Sequence, residues 1–511
     1  MDLKLMISIC ILIHIVNCEK PNIILLFADD LGWGDLASYG HPTSTTPNLD
    51  KMAEEGLKFM NFYSSSPVCS PSRSSLLTGR YQVRTGIYPG VLQCGSVGGL
   101  PLNETTIAAQ LKKVGYGTGM VGKWHLGVGK DQEYLPTKHG FDHYTGIPYS
   151  HDMCPDYVCF YPNKSCHDRG RVGDTPCPVF QDEKIIQQPA DFLTLSETYS
   201  TAATSFIHQM ADKKQPFFLY MAFQHTHHPQ FASKMFTNSS IRGMFGDALN
   251  ELDWQVGRIF DAVNEAGISH NTFVFFTSDN GPSLTREVRG GNAGLLRCGK
   301  GTTYEGGMRE PAIAWWPGRI KPGKTSELAA TVDLFPTISK LTDIPIPSDR
   351  IIDGVDMSPI LFESKMSNRD TYIYYPVDAS PKDGVFAVRY KEYKAHYYTT
   401  GTGLYPEQYP DAACKVSAGT VQHDPPLLFN LNYDPGELNP LNTKESPYKG
   451  IVQTINEVKT KFEATVVWAE SETNKGITNA AKPCAKPECD QFPQCCTTGT
   501  IPLMPKTIRI L

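Results

Sequence analysis

The sequence predicts an α/β fold: a mixed sheet flanked by helices, followed by a smaller antiparallel sheet. Short apolar runs alternate with amphipathic helical segments along residues 19–369, which is typical of a sheet covered by helices. From about Asp370 the pattern changes to alternating, aromatic-rich strands. With 511 residues, 40% of them hydrophobic, the chain is long enough for a large core and two folded units.

The N-terminal segment has the pattern of a secretory signal peptide, with Lys4 ahead of an apolar run at residues 5–13. That run is too short to span a bilayer, so no transmembrane anchor is expected. The predicted organisation is a signal peptide at 1–18, an α/β domain at 19–369, an antiparallel sheet plus helix at 370–481, and a cysteine-rich tail at 482–511.

Hydrophobic periodicity predicts the elements of both units. Strands are expected in the α/β domain at 22–28, 116–121, 217–223 and 272–277, and helices at 47–57, 106–114, 197–210 and 247–265. Strands are expected in the smaller sheet at 371–375, 384–390, 393–399 and 427–432, with a helix at 448–468.

The cysteines indicate an oxidising compartment. Of 14 in the chain, Cys10 and Cys18 fall in or beside the signal peptide, and most of the other 12 should form disulfides. Two clusters could instead bind zinc, although disulfides are the preferred interpretation: Cys154, Cys159, Cys166 and Cys177, and Cys484, Cys489, Cys495 and Cys496. Cys298 and Cys414 are expected to pair, with Cys69 and Cys94 outside the disulfide framework. Sequons at Asn103, Asn163 and Asn238 are possible glycan acceptors.

Polar residues follow directly after the predicted strands. They are Asp29 and Asp30, Lys123 and His125, His227, and Asp279 and Asn280. Open α/β sheets bind ligands beyond the carboxyl ends of their strands, so these segments should converge on one crevice. The net charge of −6 and the absence of a long basic run argue against a nucleic-acid partner.

Two pairs of oxygen-donating residues in that crevice indicate a metal site. Asp29, Asp30, Asp279 and Asn280 suit a hard divalent cation, Ca²⁺ by preference and Mg²⁺ next. Residue 69 and a substrate oxygen would fill the remaining positions. Arg73, Lys123, His125, His227 and Lys300 would supply positive charge opposite these ligands.

The run Cys69-Ser70-Pro71-Ser72-Arg73 is expected at the start of a helix. Ser70 is the expected N-cap and Pro71 suits the first turn, which places Cys69 just outside a helix N-terminus, where anions are favoured. The alternative is a buried or disulfide-bonded cysteine before a proline-initiated helix.

Several longer motifs carry a resemblance to the type I sulfatase family from Pro21 to about Asn439. They are residues 21–35 (PNIILLFADDLGWGD), 67–80 (PVCSPSRSSLLTGR), 115–127 (GYGTGMVGKWHLG), 225–227 (HTH), 277–282 (TSDNGP) and 298–311 (CGKGTTYEGGMREP). The resemblance implies an alkaline-phosphatase-like fold, one bound calcium ion, and a formylglycine (3-oxoalanine) made from Cys69 by a formylglycine-generating enzyme.

The resemblance also implies residue roles. It assigns calcium to Asp29, Asp30, Asp279, Asn280 and residue 69; it assigns the formylglycine contacts to Arg73 and Lys123, the proton acceptor to His125, and the sulfate contacts and leaving-oxygen protonation to Lys300 and His227. Ser150 would contact the substrate. An aldehyde hydrate offers two hydroxyls on one carbon: the first can attack sulfur, and deprotonation of the second can then expel sulfate.

The expected activity is hydrolysis of sulfate esters, either aryl sulfates or a sulfated glycolipid such as cerebroside 3-sulfate, in the lysosome or outside the cell. Histidines titrating near pH 6.5 would suit an acidic compartment. The alternatives are a galactose- or N-acetylgalactosamine-sulfate sulfatase, a metal-dependent phosphoesterase, and a non-catalytic binding glycoprotein of the same fold. The sequence is also compatible with a homo-oligomer.

Overall fold

The structure is a computed structural model that describes residues 19–154, 158–166, 177–401, 410–415 and 419–482. The predicted signal peptide and the second cysteine cluster lie outside the described residues. The α-helices are α1 (Pro47–Glu55), α2 (Cys69–Thr78), α3 (Gln82–Thr85), α4 (Ile107–Lys113), α5 (Leu195–Asp212), α6 (Gly243–Glu265), α7 (Glu305–Met308), α8 (Leu334–Leu341), α9 (Ser358–Glu363) and α10 (Tyr448–Glu463).

The strands form a large mixed sheet, a smaller sheet and a short hairpin. They are β1 (Asn22–Ala28), β2 (Leu57–Tyr63), β3 (Gly117–Gly122), β4 (His143–Gly146), β5 (Val158–Phe160), β6 (Lys164–Ser165), β7 (Val179–Gln181), β8 (Lys184–Gln187), β9 (Phe217–Ala222), β10 (Thr272–Ser278), β11 (Arg309–Trp315), β12 (Gly323–Thr325), β13 (Ala329–Ala330), β14 (Thr371–Tyr374), β15 (Ala387–Tyr390), β16 (Tyr393–Thr400) and β17 (Thr420–Asn430).

The large sheet has the order β12-β2-β11-β10-β1-β9-β3-β4-β7-β8 in the described residues, and β13 also pairs with β2. Its centre is parallel: β1 lies between β10 and β9, with Ile24 opposite Val274 on one side and Leu219 on the other. Every residue of β1 is buried, as expected for a parallel strand covered by helices on both faces. The carboxyl ends of β10, β1, β9 and β3 therefore meet at one edge.

Strand β2 brings Cys69 to the same edge. β2 is antiparallel to β11, which is antiparallel to β10, so β2 runs in the direction of β10 and also ends at this edge. This strand was absent from the sequence prediction, which extended the first helix to Leu57. The helix ends at Glu55, and Gly56 separates it from the strand.

Helix α2 starts two residues earlier than expected. Its N-cap is Val68, and Cys69 is its first residue, so the predicted N-cap role of Ser70 is wrong. The Ser70 hydroxyl instead accepts a hydrogen bond from the backbone N–H of Leu92 at 3.2 Å. Every residue of α2 is buried, and the helix contacts α3, α4 and α8.

The smaller antiparallel sheet has the order β14-β15-β16-β17, and α10 packs against it. The strand at its edge begins at Thr420, seven residues before the predicted start. Tyr63 at the end of β2 stacks near Tyr372 of β14, with ring centroids 5.2 Å apart, which joins the two sheets through a shared aromatic cluster.

Three disulfides are present in the described chain: Cys154–Cys177, Cys159–Cys166 and Cys298–Cys414. They confirm disulfides rather than zinc for the first cysteine cluster, and they confirm the expected long-range pair. No helix among the described residues has both the length and the apolar character required to cross a membrane.

Candidate active site

The site is built at the carboxyl edge of the large sheet, as the sequence predicted. Asp29 and Asp30 follow β1, Asp279 and Asn280 follow β10, and Lys123 follows β3 directly. Asp29, Asp279 and Asn280 are fully buried, and Asp30 is 2% exposed. Burying several charged groups together is favourable only if they are paired, and each carboxylate has a basic partner.

Asp29 and Asp279 are paired with two of these basic side chains. Lys123 Nζ donates to Asp29 Oδ2 at 2.6 Å, and Arg73 donates to Asp279 Oδ2 from Nε at 3.1 Å and from Nη2 at 2.8 Å. Arg73 also lies 3.5 Å from Asp29 Oδ1. Arg73 is held in place through a further hydrogen bond to the carbonyl of Lys123 at 3.0 Å.

Asp30 contacts the third basic side chain and a histidine. Lys300 Nζ donates to its two carboxylate oxygens at 2.6 and 2.8 Å, and His227 Nε2 lies 3.6 Å from Oδ2. Asn280 Nδ2 donates to Asp30 Oδ1 at 2.8 Å. Asp30 has a φ of 59°, a left-handed conformation that is uncommon for residues other than glycine and often found at functional sites.

Cys69 lies between these two groups. Its sulfur is 3.6 Å from Asp29 Oδ1 and 3.7 Å from Lys300 Nζ, and its side chain is a free thiol that is 2% exposed. The sulfur marks the position that an oxygen of a modified residue 69 would take. Burial, and then the nearby Asp279 carboxylate, raise the pKa of this thiol well above its ordinary value, so the unmodified cysteine stays protonated.

His125 and His227 are both buried. Burial, and then the charge of Lys123, lower the pKa of His125 well below 6.5; burial, and then Lys300, do the same for His227. Both pKa values thus lie below the value near 6.5 that was expected from the sequence. His125 Nε2 contacts the carbonyl of Leu92 at 2.9 Å, and its buried Nδ1 has no hydrogen-bond partner in the described chain.

The structure separates the two adjacent histidines that the sequence could distinguish only by motif. His227 faces Asp30, whereas His228 Nε2 contacts Arg286 Nη2 at 2.8 Å. Asp152 lies close to both rings. One carboxylate oxygen of Asp152 and one ring nitrogen each of His227 and His228 lie within 4.8 Å of one another. Ser150, which precedes it, is 2% exposed and lines the same cavity as Cys69.

The donor set suits a hard cation on two observations. The buried Asn280 Oδ1 lacks a hydrogen-bond partner in the described chain, as expected for an amide oxygen reserved for another ligand. Burial, reinforced by neighbouring carboxylates, raises the pKa of Asp30 and of Asp279, and a bound cation would oppose that rise. Ligand atoms of Asp29, Asp30, Cys69 and His227 lie within 4.8 Å of one another, whereas Oδ2 of Asp279 accepts hydrogen bonds from Arg73.

The cavity in front of Cys69 measures about 830 Å³. Part of its wall comes from the smaller sheet and its loops, which were not predicted to reach the site. The wall residues are Pro376, Val377, Asp378, Asp383, Phe386, Thr400, Gly401, Gly419 and Thr420. Arg286 and Phe192 were also missed. A single sequence carries no local signal for contacts between segments more than 200 residues apart.

Comparison with known proteins identifies the family. The Sulfatase family model matches residues 21–344, and the model for the C-terminal region of aryl-sulfatase matches residues 367–497. The chain belongs to the sulfatase family. This sulfatase is 46% identical to arylsulfatase A of Bos taurus and of Homo sapiens over 484 residues, 94% of this chain and 95% of each relative.

Other relatives of the sulfatase agree with this placement. It is 39% identical to N-acetylgalactosamine-6-sulfatase of Canis lupus familiaris, over 94% of this chain and 92% of the relative. A sulfatase crystal structure from Pseudoalteromonas sp. superposes with a TM-score of 0.75 at 27% identity, covering 90% of this chain and 93% of that one. A phosphonate monoester hydrolase of Agrobacterium radiobacter shares the fold, with a TM-score of 0.57 at 19% identity. The expected alkaline-phosphatase-like fold and the resemblance to the type I sulfatase family are confirmed, and within that family the chain is similar to arylsulfatase A.

Proposed function

We propose that this sulfatase hydrolyses its sulfate esters through a formylglycine made from Cys69, with one calcium ion held at the carboxyl edge of the sheet. The observation that carries the proposal is the position of Cys69, whose sulfur lies within 4 Å of both Asp29 and Lys300. A sulfate ester at this point would meet an oxygen-ligand set on one side and fixed cations on the other.

The proposed ligands of the cation are oxygens of Asp29, Asp30, Asp279 and Asn280, together with residue 69. Ca²⁺ is favoured because all four unmodified side chains offer oxygen atoms and carboxylates predominate. A bound cation would lower the pKa of a hydroxyl next to it and neutralise charge on a sulfate oxygen. The hydrate of formylglycine would supply two hydroxyls on one carbon, one to attack sulfur and one to release sulfate.

The other side chains bind and move protons in this proposal. Arg73 and Lys123 fix the positions of residue 69 and the carboxylates, because Arg73 donates to Asp279 and Lys123 donates to Asp29. Lys300 binds a sulfate oxygen. His227, beside Asp30, protonates the leaving oxygen once the negative charge of a bound sulfate ester raises the pKa of its ring, and His125, with a buried Nδ1, accepts the proton when the aldehyde re-forms. Fixed donors and cations aimed at developing charge are usually the largest catalytic contribution.

The proposed substrates are aryl sulfates and a sulfated glycolipid such as cerebroside 3-sulfate. Similarity to arylsulfatase A, at 46% identity against 39% for N-acetylgalactosamine-6-sulfatase, supports this choice over an amino-sugar sulfate. Ser150 is proposed to contact the substrate from the cavity wall. A metal-dependent phosphoesterase is less well supported, since such enzymes use histidine-rich sites for two zinc ions, and the second strand-end pair here is Asp279 and Asn280.

Maturation and location are part of the same proposal. The asparagines of the three sequons are all exposed, and three disulfides are present, which supports passage through the secretory pathway to the lysosome, with modification by a formylglycine-generating enzyme on the way. We also propose the organisation given above, with domains at 19–369 and 370–481. The distinct large and small sheets support it.

The test is mass spectrometry of the peptide that contains residue 69, from protein made in animal cells. We expect an aldehyde at this position and turnover of an aryl sulfate. Cys69→Ala should fold and lose turnover, while the matched variant Ser75→Ala, a buried position on the same helix, should keep it. A thiol at residue 69 in fully active enzyme would overturn the proposal.

A further inference from the structure

The loop at residues 297–305, which carries Lys300, is held on one side by the site itself. The backbone N–H of Lys300 donates to the carbonyl of Pro282 at 3.0 Å, and that of Gly301 donates to Pro67 at 2.9 Å. Pro282 lies two residues after Asn280, and Pro67 lies two residues before Cys69. These hydrogen bonds fix the position of the loop relative to the carboxyl edge of the large sheet.

The opposite side of the same loop is bound by the smaller sheet and its connections. Arg297 forms a two-pronged ion pair with Asp411, at 2.6 and 2.9 Å, and the next residue, Cys298, is disulfide-bonded to Cys414. At the other end of the loop, Lys394 Nζ donates to the carbonyl of Thr303 at 2.8 Å. Both ends of the loop are therefore fixed from outside the α/β domain.

Two fully buried charged side chains, Lys394 and Glu437, hold the end of the loop at Thr303 and Glu305. Glu437 Oε2 accepts a hydrogen bond from the backbone N–H of Glu305 at 2.6 Å. Lys394 Nζ lies 3.0 Å from a carboxylate oxygen of Glu305 and 3.0 Å from one of Glu437, and all three side chains have no solvent exposure. His396 Nε2 adds a contact of 2.6 Å to Glu437.

The group formed by Lys394, Glu305 and Glu437 is fully buried, and Glu437 has an uncommon backbone conformation. A lysine and two glutamates without solvent are stable only with near-ideal geometry and full hydrogen bonding. Glu437 has a φ of 51°, a left-handed conformation that is held only where surrounding contacts fix it. Neither Lys394 nor Glu437 lines the cavity, so a direct role on substrate is not available to them.

We propose that Lys394 and Glu437 are positioning residues that act through Lys300. By fixing the Thr303 carbonyl and the Glu305 amide, they hold the loop so that the Lys300 ammonium stays on Asp30, within 4 Å of residue 69. This inference rests on the sulfate-binding role proposed above for Lys300. A shift of about 1 Å in a group that contacts the reacting atoms can reduce the rate by about 100-fold, so a support of this kind affects catalysis.

The experiment is a double-mutant cycle on the full chain with an aryl sulfate. Glu437→Gln keeps the size of the side chain but removes the charge that Lys394 and His396 contact. We expect kcat/KM to fall about tenfold or more, with the aldehyde content of residue 69 unchanged. Lys300→Ala should lose far more activity, and Glu437→Gln combined with Lys300→Ala should be no worse than Lys300→Ala alone, because the two residues act as a unit.

Additive losses, or a wild-type kcat/KM for Glu437→Gln, would overturn the inference while leaving the proposed function intact. Full activity in Lys300→Ala would instead remove the role of Lys300, and the inference with it. If Glu437→Gln does not fold, Asp411→Asn weakens the other end of the loop at a partly exposed ion pair, and the same criteria apply to its cycle with Lys300→Ala.

The control for general destabilisation is Arg369→Met. Arg369 forms a buried ion pair with Asp333 and has no hydrogen bond to residues 297–305 among those of the described chain. The melting temperature of the Arg369→Met variant should fall, but its kcat/KM per aldehyde-containing molecule should remain that of the wild type. An equal loss of kcat/KM in Arg369→Met would show that the effect of Glu437→Gln is general destabilisation.

Discussion

The ammonium group of Lys123 donates a 2.6 Å hydrogen bond to the carboxylate of Asp29, and neither side chain has any solvent exposure. The two residues follow β3 and β1, which are separated in the sheet by β9. Around them, three carboxylates (Asp29, Asp30 and Asp279) face three basic side chains (Arg73, Lys123 and Lys300). The three negative and three positive charges of the cluster thus cancel before a cation or a sulfate ester binds. A bound cation should therefore raise the affinity of the site for the sulfate anion, and a bound sulfate anion should raise its affinity for the cation.

Replacing Lys123 with methionine should affect both activity and stability. We expect kcat/KM for an aryl sulfate to fall by about 100-fold or more, because a fixed charge next to the reacting group is lost. The free energy of unfolding should fall by about 3 kcal/mol, since Asp29 loses a buried partner. Kinetics and urea denaturation measure the two effects.

The matched control for that variant is Lys112→Met. Lys112 and Asp142 are also 2.6 Å apart, but their side chains are 50% and 33% exposed. Breaking an exposed pair should cost less than about 1 kcal/mol and leave kcat/KM unchanged. Equal effects of the two variants would contradict the importance of burial.

Calcium should stabilise the protein through Asn280. At about 100 times its dissociation constant, a ligand that binds only the folded state adds about 2.7 kcal/mol of stability, so Ca²⁺ added to chelator-treated protein should raise the melting temperature. Asn280→Leu removes the unpartnered Oδ1 and should reduce this rise. Asn264→Leu, at an exposed position of α6, should respond to Ca²⁺ like the wild type. An equal rise in all three proteins would argue against Asn280 as a ligand.

Gly122 should not tolerate a side chain. It precedes Lys123 with a φ of +105°, and a Cβ atom there would lie 1.8 Å from the carbonyl oxygen of Ala222. Gly122→Ala should therefore lower the free energy of unfolding by about 3 kcal/mol or more, from backbone strain plus the clash, and should displace Lys123 and reduce kcat/KM.

Gly115→Ala separates backbone strain from the steric clash. Gly115 has a similar φ of +89°, but a Cβ there would have no heavy atom within 4 Å. We expect a loss of only about 1 kcal/mol, with activity retained. If denaturation gave the same loss for both alanine variants, the close approach to Ala222 would have no energetic consequence.

His139 should make the protein less stable as the pH falls. Burial lowers its pKa from 6.5 to about 4, and its Nε2 has no hydrogen-bond partner in the described chain. Above pH 6.5 both the folded and unfolded states are neutral here; between pH 6.5 and about 4 the unfolded state binds more protons, so stability declines.

His139→Phe should remove this part of the acid sensitivity. From pH 7 to pH 5 its free energy of unfolding should decrease by about 2 kcal/mol less than that of the wild type, as measured by urea denaturation at each pH. His270→Gln, at an exposed position, serves as the control and should follow the wild type. Parallel pH profiles for His139→Phe and the wild type would contradict the prediction.

Several site residues could be predicted from sequence because they directly follow recognisable strands, whereas Cys69, Arg73, Ser150 and Lys300 were assigned their roles by the family resemblance. Asp29 and Asp279 come directly after continuous apolar strands, and parallel strands of one sheet end at a common edge. Strand β11 was missed for a local reason: Pro311 lies within it, and proline argues against an interior strand. The structure accommodates Pro311 at an irregularity in register between Glu310 and Ala312.

Other features were missed because they depend on long-range partners. The mixed pattern of β2, LKFMNFY, has no clean alternation, and its pairing partner β11 lies about 250 residues later in the chain. The cavity wall from the smaller sheet and the support of Lys300 by Lys394 depend on similar separations. Local periodicity contains no information about such contacts.

The placement of β1 at the centre of the sheet affects how the protein can be made. Its neighbours β9 and β10 end at Ala222 and Ser278, so a ribosome must synthesise more than half of the chain before β1 has a partner on each side. Until then Ile23–Phe27 is an apolar strand with at least one open edge, prone to aggregation unless a chaperone shields it. During the same interval position 69 has not yet been enclosed, and an enzyme that acts on the nascent chain can still reach it.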